Sequence, residues 1–198
     1  MLSVPEAFEK FKSRLEISAS QQQDASRHQQ HIRTHVRAQI AVGRDFLSGS
    51  YARHTKTRPL KDVDIFVVLR DSESDYLDQD PNVILDTLIE ILSPHYSNRT
   101  SKGNRSVKID RHETSTPDQQ VLSFDVVPAF VENSHYEIRD RRQFGWIKRN
   151  PDVHREKATA ANAGFSERWK PCREDGKEME RSSRQAGQTL LLTRGNGT

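Results

Sequence analysis

The chain has 198 residues, of which 33% are hydrophobic and 30% charged, and a formal net charge of +3. That length suits one domain, or one domain with a short appendage, and its apolar runs fill one core of modest size. An excess of +3 is too small to imply nucleic-acid binding without a localised patch. The single cysteine, Cys172, excludes an internal disulfide and a cysteine-based zinc cluster. No stretch approaches the roughly 20 apolar residues of a membrane span. Met1 to Lys10 lacks the uninterrupted apolar segment of a signal peptide, so the cytoplasm is the expected location.

The first forty residues read as helix. Phe8, Phe11 and Leu15 recur at helical spacing, as do Ile32, Val36 and Ile40. The Gln- and His-rich stretch Ser18 to Gln30 between them fits either a solvated helix surface or a break between two helices. A short run, Arg44 to Ser48, then ends at the turn Gly49-Ser50. Asp62 to Leu69 is the clearest strand: it is rich in β-branched residues, and Val63, Ile65, Val67 and Leu69 share one face. Pro81 to Leu92 reads as a helix capped by Asp80, and Arg105 to Asp110 as a strand. After a polar loop, Val121 to Val131 is a second strong β-run, with short strands at Tyr136 to Arg139 and Phe144 to Ile147. Helical character returns over Pro151 to Trp169. This order predicts an α/β or α+β domain: a small mixed sheet packed against helices that include the N-terminal one.

Three features carry chemistry together. Gly49-Ser50 follows a short strand; glycine lets backbone N–H groups approach a phosphate, and the serine hydroxyl adds a donor. Taken alone, Gly-Ser is a common turn. Asp62 and Asp64 lie two apart at the head of the strongest strand, so both carboxylates project from one face. Two adjacent anions suit a hard cation, Mg²⁺ or Mn²⁺, although an isolated Asp-x-Asp is usually just solvated. Asp125 interrupts the apolar run Phe124 to Phe130, where a carboxylate is costly unless paired or metal-bound. A phosphate-holding turn, a carboxylate pair and a third carboxylate on a later strand are the parts of a two-metal phosphoryl-transfer site.

Gly49-Ser50-Tyr51-Ala52-Arg53-His54-Thr55, Arg58-Pro59, Asp62-Val63-Asp64-Ile65-Phe66-Val67-Val68 and Phe124-Asp125-Val126-Val127-Pro128-Ala129-Phe130 together resemble the signature of the polymerase-β-like nucleotidyltransferases. Within that superfamily the chain is similar to bacterial CD-NTases, relatives of cyclic GMP-AMP synthase and oligoadenylate synthase. The stretch from Trp146 through Asn162 to Trp169 looks like the CD-NTase continuation. The resemblance implies that Asp62 and Asp64 hold two Mg²⁺ or Mn²⁺ ions, that Asp125 completes the site, and that Gly49 and Ser50 hold the phosphates of ATP or another nucleoside triphosphate. It implies an enzyme making cyclic di- or oligonucleotide signals in antiphage defence, and leaves a regulatory protein partner open. RNA 3′-end extension, as in CCA-adding relatives, and a truncated, idle nucleotide-binding core are the alternatives.

The resemblance covers residues 1–171, which are expected to form the catalytic domain. Members of the family continue beyond a motif like Arg168-Trp169-Lys170-Pro171 into a helical lobe, whereas Cys172 to Gly187 is charged or polar and has no helical stripe. Residues 172–198 are therefore expected to be a disordered or out-of-frame tail, with the lobe largely missing. Arg139, Arg141, Arg142, Lys148 and Arg149 form a basic cluster that reads first as a solvated face, with phosphate or nucleic-acid contact as the alternative. Lys102-Gly103-Asn104-Arg105 reads as an uninformative loop, His28, His31 and His35 as solvated, and Trp146 and Trp169 as core anchors.

Overall fold

A computed structural model of the chain describes residues 2–53, 55–58, 60–96, 99–111, 123–140, 142 and 145–164. Two helices, α1 (Val4–Leu15) and α2 (Ala19–Gln39), lead into strand β1 (Val42–Ser48) and a single-turn helix, α3 (Gly49–Ala52). Strand β2 (Asp62–Leu69), a 3-10 segment (Asp71–Asp78) and α4 (Asn82–Tyr96) follow. Then come β3 (Thr100–Lys102), β4 (Val107–Asp110), β5 (Ser123–Glu132), β6 (His135–Asp140), β7 (Gly145–Arg149) and α5 (Pro151–Gly164).

Among the described residues the strands make one seven-stranded sheet in the order β1-β2-β5-β4-β3, extended by β6 on β5 and β7 on β6. Among these residues only β2 and β5 pair in parallel; the other pairings are antiparallel. The long strand β5 shares one of its edges between two partners. β4 takes Ser123 to Val126, and β6 takes Ala129 to Glu132. This arrangement brings the β3–β4 turn beside the end of β6.

The alternation along β2 sorts its side chains as predicted. Val63, Ile65, Val67 and Leu69 face α2 and α4, joining Phe124, Val126 and Phe130 of β5 and Ile84, Leu85, Leu88 and Leu92 of α4 in the main core. Burying each such side chain contributes about 1.5–3 kcal/mol. Phe66 and Val68 point the other way and pack with Val127, Ala129, Tyr136 and Ile138. The acidic residues Asp62 and Asp64 stand on this second face, at the unfilled end of the sheet.

The chain from Ala19 to Gln39 is continuous helix, capped by Ser18, and the break falls at residues 16–18. Both helices start on a serine capping box, Ser3 with Glu6 and Ser18 with Gln21. The buried stripe of α2 is Gln21, Ala25, Gln29, Ile32 and Val36. Asp45 of β1, buried, is gripped by Arg33 and Arg37 and ties this helix to the sheet edge.

The expectation that the first helix packs on the sheet is not met: α1 buries no residue, and Phe8 and Phe11 are 67% and 50% exposed. The turn after Leu15 redirects the chain, so that α2 and Ile17 cover the sheet instead. The expected tail from Cys172, the Trp169 anchor and the loop through Gln119 lie outside the described residues.

Candidate active site

The site is built at the shared ends of β1, β2 and β5. Parallel register sets Asp62 opposite Ser123 and Asp64 opposite Asp125. Each of the three aspartates offers a carboxylate oxygen, and these oxygens lie within 4.8 Å of one another. Among the described residues no other group of three His, Cys, Asp or Glu side chains has this spacing. Asp62 is exposed, whereas Asp64 and Asp125 are half-buried. Burial, followed by the charges of Asp62 and Asp125, pushes the Asp64 carboxyl up to about 6, and Arg53 partly opposes this. Crowded hard oxygen donors held against their mutual repulsion fit a divalent cation such as Mg²⁺ or Mn²⁺.

Gly49 makes this packing possible. It takes φ +68°, and a Cβ there would stand 1.8 Å from Asp64 Oδ2. The turn out of β1 therefore lies directly against the triad, and only glycine fits. Ser50 and Tyr51 follow in α3. Tyr51 anchors the turn by entering the core, where burial moves its phenol up to about 12. Ser50 lies one residue beyond the cavity wall formed by Ser48 and Gly49.

That cavity has a volume of about 550 Å³. Asp64, Asp125 and Ser106 line it together with apolar Phe66, Val127 and Ile138. Arg53, Arg105, Arg142, Arg149 and His154 also border it. An anionic floor with cations around it suits a ligand carrying phosphate and metal together.

The basic cluster expected to be a solvated face divides into separate environments. Arg139 is 2% exposed and donates to Asn104 O at 2.9 Å and to Asn82 Oδ1. It is buried because β6 is an inner strand of the sheet, with β5 on one side and β7 on the other. Lys148 pairs with Glu132 at 2.8 Å on the outer surface. Arg142 and Arg149 line the cavity, and Arg141 lies outside the described residues.

Sequence reasoning missed Asn104, Arg105 and Ser106, which read as part of an uninformative loop and a strand start. The local sequence contains no signal for them, because β6 makes the loop part of the site. Asp140, reached from Arg105 Nε at 2.8 Å and Asn104 at 3.4 Å, anchors the turn there. Of the histidines, His28 contacts Asp24 at 3.3 Å and His35 stacks on His95 at 3.6 Å between centroids. Trp146 packs edge-to-face on Phe130, as a core anchor would.

A mixed sheet carrying this acidic triad beside a glycine turn defines a polymerase-β-like nucleotidyltransferase core. The chain belongs to the family described as the Second Messenger Oligonucleotide or Dinucleotide Synthetase domain, whose model matches residues 2–162. It is 29% identical over 135 residues to a cyclic AMP-AMP-AMP synthase of an Acinetobacter strain, an alignment covering 64% of this chain and 36% of that protein. Its fold is similar to that of the CdnE cyclic dinucleotide synthase of Elizabethkingia meningoseptica, solved with GTP and Apcpp. That match has a TM-score of 0.57 at 19% identity and covers 72% of this chain and 54% of the other. It is also similar to the CdnE c-UMP-AMP synthase of Rhodothermus marinus, solved with Apcpp and Upnpp. There the TM-score is 0.57 at 18% identity, over 99% of this chain and 70% of the other. The chain thus spans about a third of the curated relative that it matches.

Proposed function

We propose that this chain carries the catalytic domain, residues 1–171, of a CD-NTase that joins nucleoside triphosphates into a cyclic di- or oligonucleotide. The observation that carries the reading is the meeting of Asp62, Asp64 and Asp125 within 4.8 Å, with Asp64 and Asp125 lining a cavity of about 550 Å³. In the proposed reaction a ribose hydroxyl oxygen bonds to the α-phosphorus of a triphosphate, the bond to pyrophosphate breaks, and the hydroxyl proton leaves to solvent. The three aspartates would hold two Mg²⁺ or Mn²⁺ ions, which when bound supply charge neutralisation and activation of the hydroxyl.

The chain's own residues do the positioning. The close approach of Gly49 to Asp64 sets the backbone of the turn beside the reacting phosphates, with the Ser50 hydroxyl as a further donor. Arg53, already within the field of Asp64, and the cavity arginines Arg142 and Arg149 balance phosphate charge. Phe66, Val127 and Ile138 keep part of the cavity wall dry, which strengthens each of these interactions. The nucleotides named with the two CdnE structures support a triphosphate substrate. On this reading the product is a second messenger of antiphage defence, made in the cytoplasm. No helix of the described residues is long and apolar enough to cross a membrane.

The test incubates the protein with labelled nucleoside triphosphates and Mg²⁺ or Mn²⁺, then treats the products with phosphatase. A resistant product, lost in the Asp62→Asn/Asp64→Asn double variant, is the expected result. Products that remain phosphatase-sensitive would replace cyclisation with end-tailing. A folded protein that binds neither divalent ion nor nucleotide would overturn the reading.

A further inference from the structure

We propose that Ser106, at the entry to β4, is a positioning residue that fixes the rotamer of Asp125 for the cation. This inference rests on the metal-site reading above.

Asp125 stands opposite Asp64 on one strand edge and Lys108 on the other, and Lys108 Nζ is drawn to Asp110 at 3.2 Å. The bond that orients the Asp125 carboxylate comes from Ser106, whose Oγ donates to Asp125 Oδ1 at 2.7 Å. Ser106 is only 8% exposed, so water competes little for this bond. An ionised carboxylate offers about four lone-pair sites, so one donated bond sets its rotation and leaves capacity for a cation. Fixing that rotation before the ion arrives removes an ordering cost from binding.

The donor is itself rigidly mounted. Ser106 O accepts from Gly103 N at 2.8 Å, closing the turn, and a Cβ on Gly103 would press on Ser106 O and Oγ alike at 3.0 Å. From β6, Arg139 Nη1 donates to Asn104 O at 2.9 Å, and Asp140 accepts from Arg105 Nε at 2.8 Å. Arg105 holds the Asp140 carboxyl below the usual carboxylate range, which keeps that tether charged. The hydroxyl is therefore delivered from a frame pinned to the sheet at two neighbouring residues. A hydroxyl that merely satisfied a half-buried carboxylate would affect stability and leave cation affinity alone.

The experiment titrates Mn²⁺, read by electron paramagnetic resonance, into the wild-type chain and into Ser106→Ala, Ser106→Thr and Gly103→Ala, with thermal unfolding of each measured without metal. The expected result is a loss of about tenfold in Mn²⁺ affinity for Ser106→Ala, the scale typical of partners that orient a metal ligand. Ser106→Thr, which restores the hydroxyl, should return to within about threefold of wild type on the same scale. Gly103→Ala, which displaces the hydroxyl without removing it, should weaken binding as Ser106→Ala does. Wild-type affinity in Ser106→Ala, whatever its melting temperature, would overturn the inference while leaving the metal site standing. Absence of Mn²⁺ binding by the folded wild-type chain would overturn both.

Discussion

Asp64 and Asp125 face one another directly across the parallel pair β2–β5, each interrupting an apolar strand at the same level of the sheet. Like charges placed opposite each other on neighbouring strands destabilise a sheet, and here Asp62 adds a third. The fold carries this cost on the second face of β2, while Val63 and Ile65 on the other face are fully buried and hold the strand in register. A site that repels itself in the bare chain is one that a cation stabilises.

Removing the central charge should therefore strengthen the bare fold. The Asp64 carboxyl is pushed up to about 6 from 3.8 by burial and by its two acidic neighbours. Between those values the folded chain keeps a proton that the unfolded chain has released. Stability from this group thus falls as pH rises through that window and is lowest above it. Asp64→Asn removes the ionised form, and at neutral pH it should raise the unfolding free energy measured in chelator by about 1–3 kcal/mol. The wild type should gain melting temperature on addition of Mn²⁺ and this variant should not, and on the proposed function its nucleotide joining should be nearly abolished. A melting temperature in chelator equal to or below that of wild type would show that the repulsion is relieved in some other way.

The same group sets a pH dependence for cation binding. A ligand carboxylate must be ionised, so a proton on Asp64 competes with the metal. Mn²⁺ affinity should rise about tenfold between about pH 5 and about pH 7, and flatten above that. Titration calorimetry at several pH values measures this directly. A flat profile over that range would mean that Asp64 is not the proton competitor.

The parts of this arrangement that depend on local pattern were legible in the sequence. The period-two alternation of Val63 to Leu69 gave the strand, its buried face and the shared direction of Asp62 and Asp64. An aspartate within Phe124 to Phe130 marked the third carboxylate. What the pattern could not carry was pairing between distant segments. Arg105 and Asp140 meet although 35 residues apart, because β4 and β6 divide one edge of β5. Arg139 looked like a surface charge for the same reason. Whether Ser18 to Gln30 was helix or break stayed open in the sequence because two positions of the buried stripe of α2, Gln21 and Gln29, are polar. Conversely, α1 had a good apolar stripe and no sheet surface to meet.

Gly49→Ala tests how tightly the turn and the triad are built together. A Cβ there would sit 1.8 Å from Asp64 Oδ2, on a residue with φ +68°. The left-handed conformation costs about 1–2 kcal/mol for a residue bearing a Cβ. The carboxylate is the mobile end of a side chain, so it should swing away and the fold should survive. The expected outcome is a modest drop in the urea midpoint together with loss of most Mn²⁺ binding, by more than about tenfold. Retention of full Mn²⁺ affinity would mean that Asp64 can hold the ion from another rotamer.

Arg139→Met probes the brace behind the site. The methionine keeps much of the apolar stem but removes the donors to Asn104 O and Asn82 Oδ1, which link β6 to the β3–β4 turn and to the start of α4. Hydrogen bonds from a charged donor are worth about 1.5–3 kcal/mol, and at 2% exposure no water stands ready to replace them. Chemical denaturation should show a loss of about 2–3 kcal/mol with an unchanged denaturant slope. Amide hydrogen exchange should quicken first at residues 103–106, the turn that this arginine holds, and later in β2. Uniform acceleration across the sheet would instead make Arg139 a general core residue with no special hold on the turn.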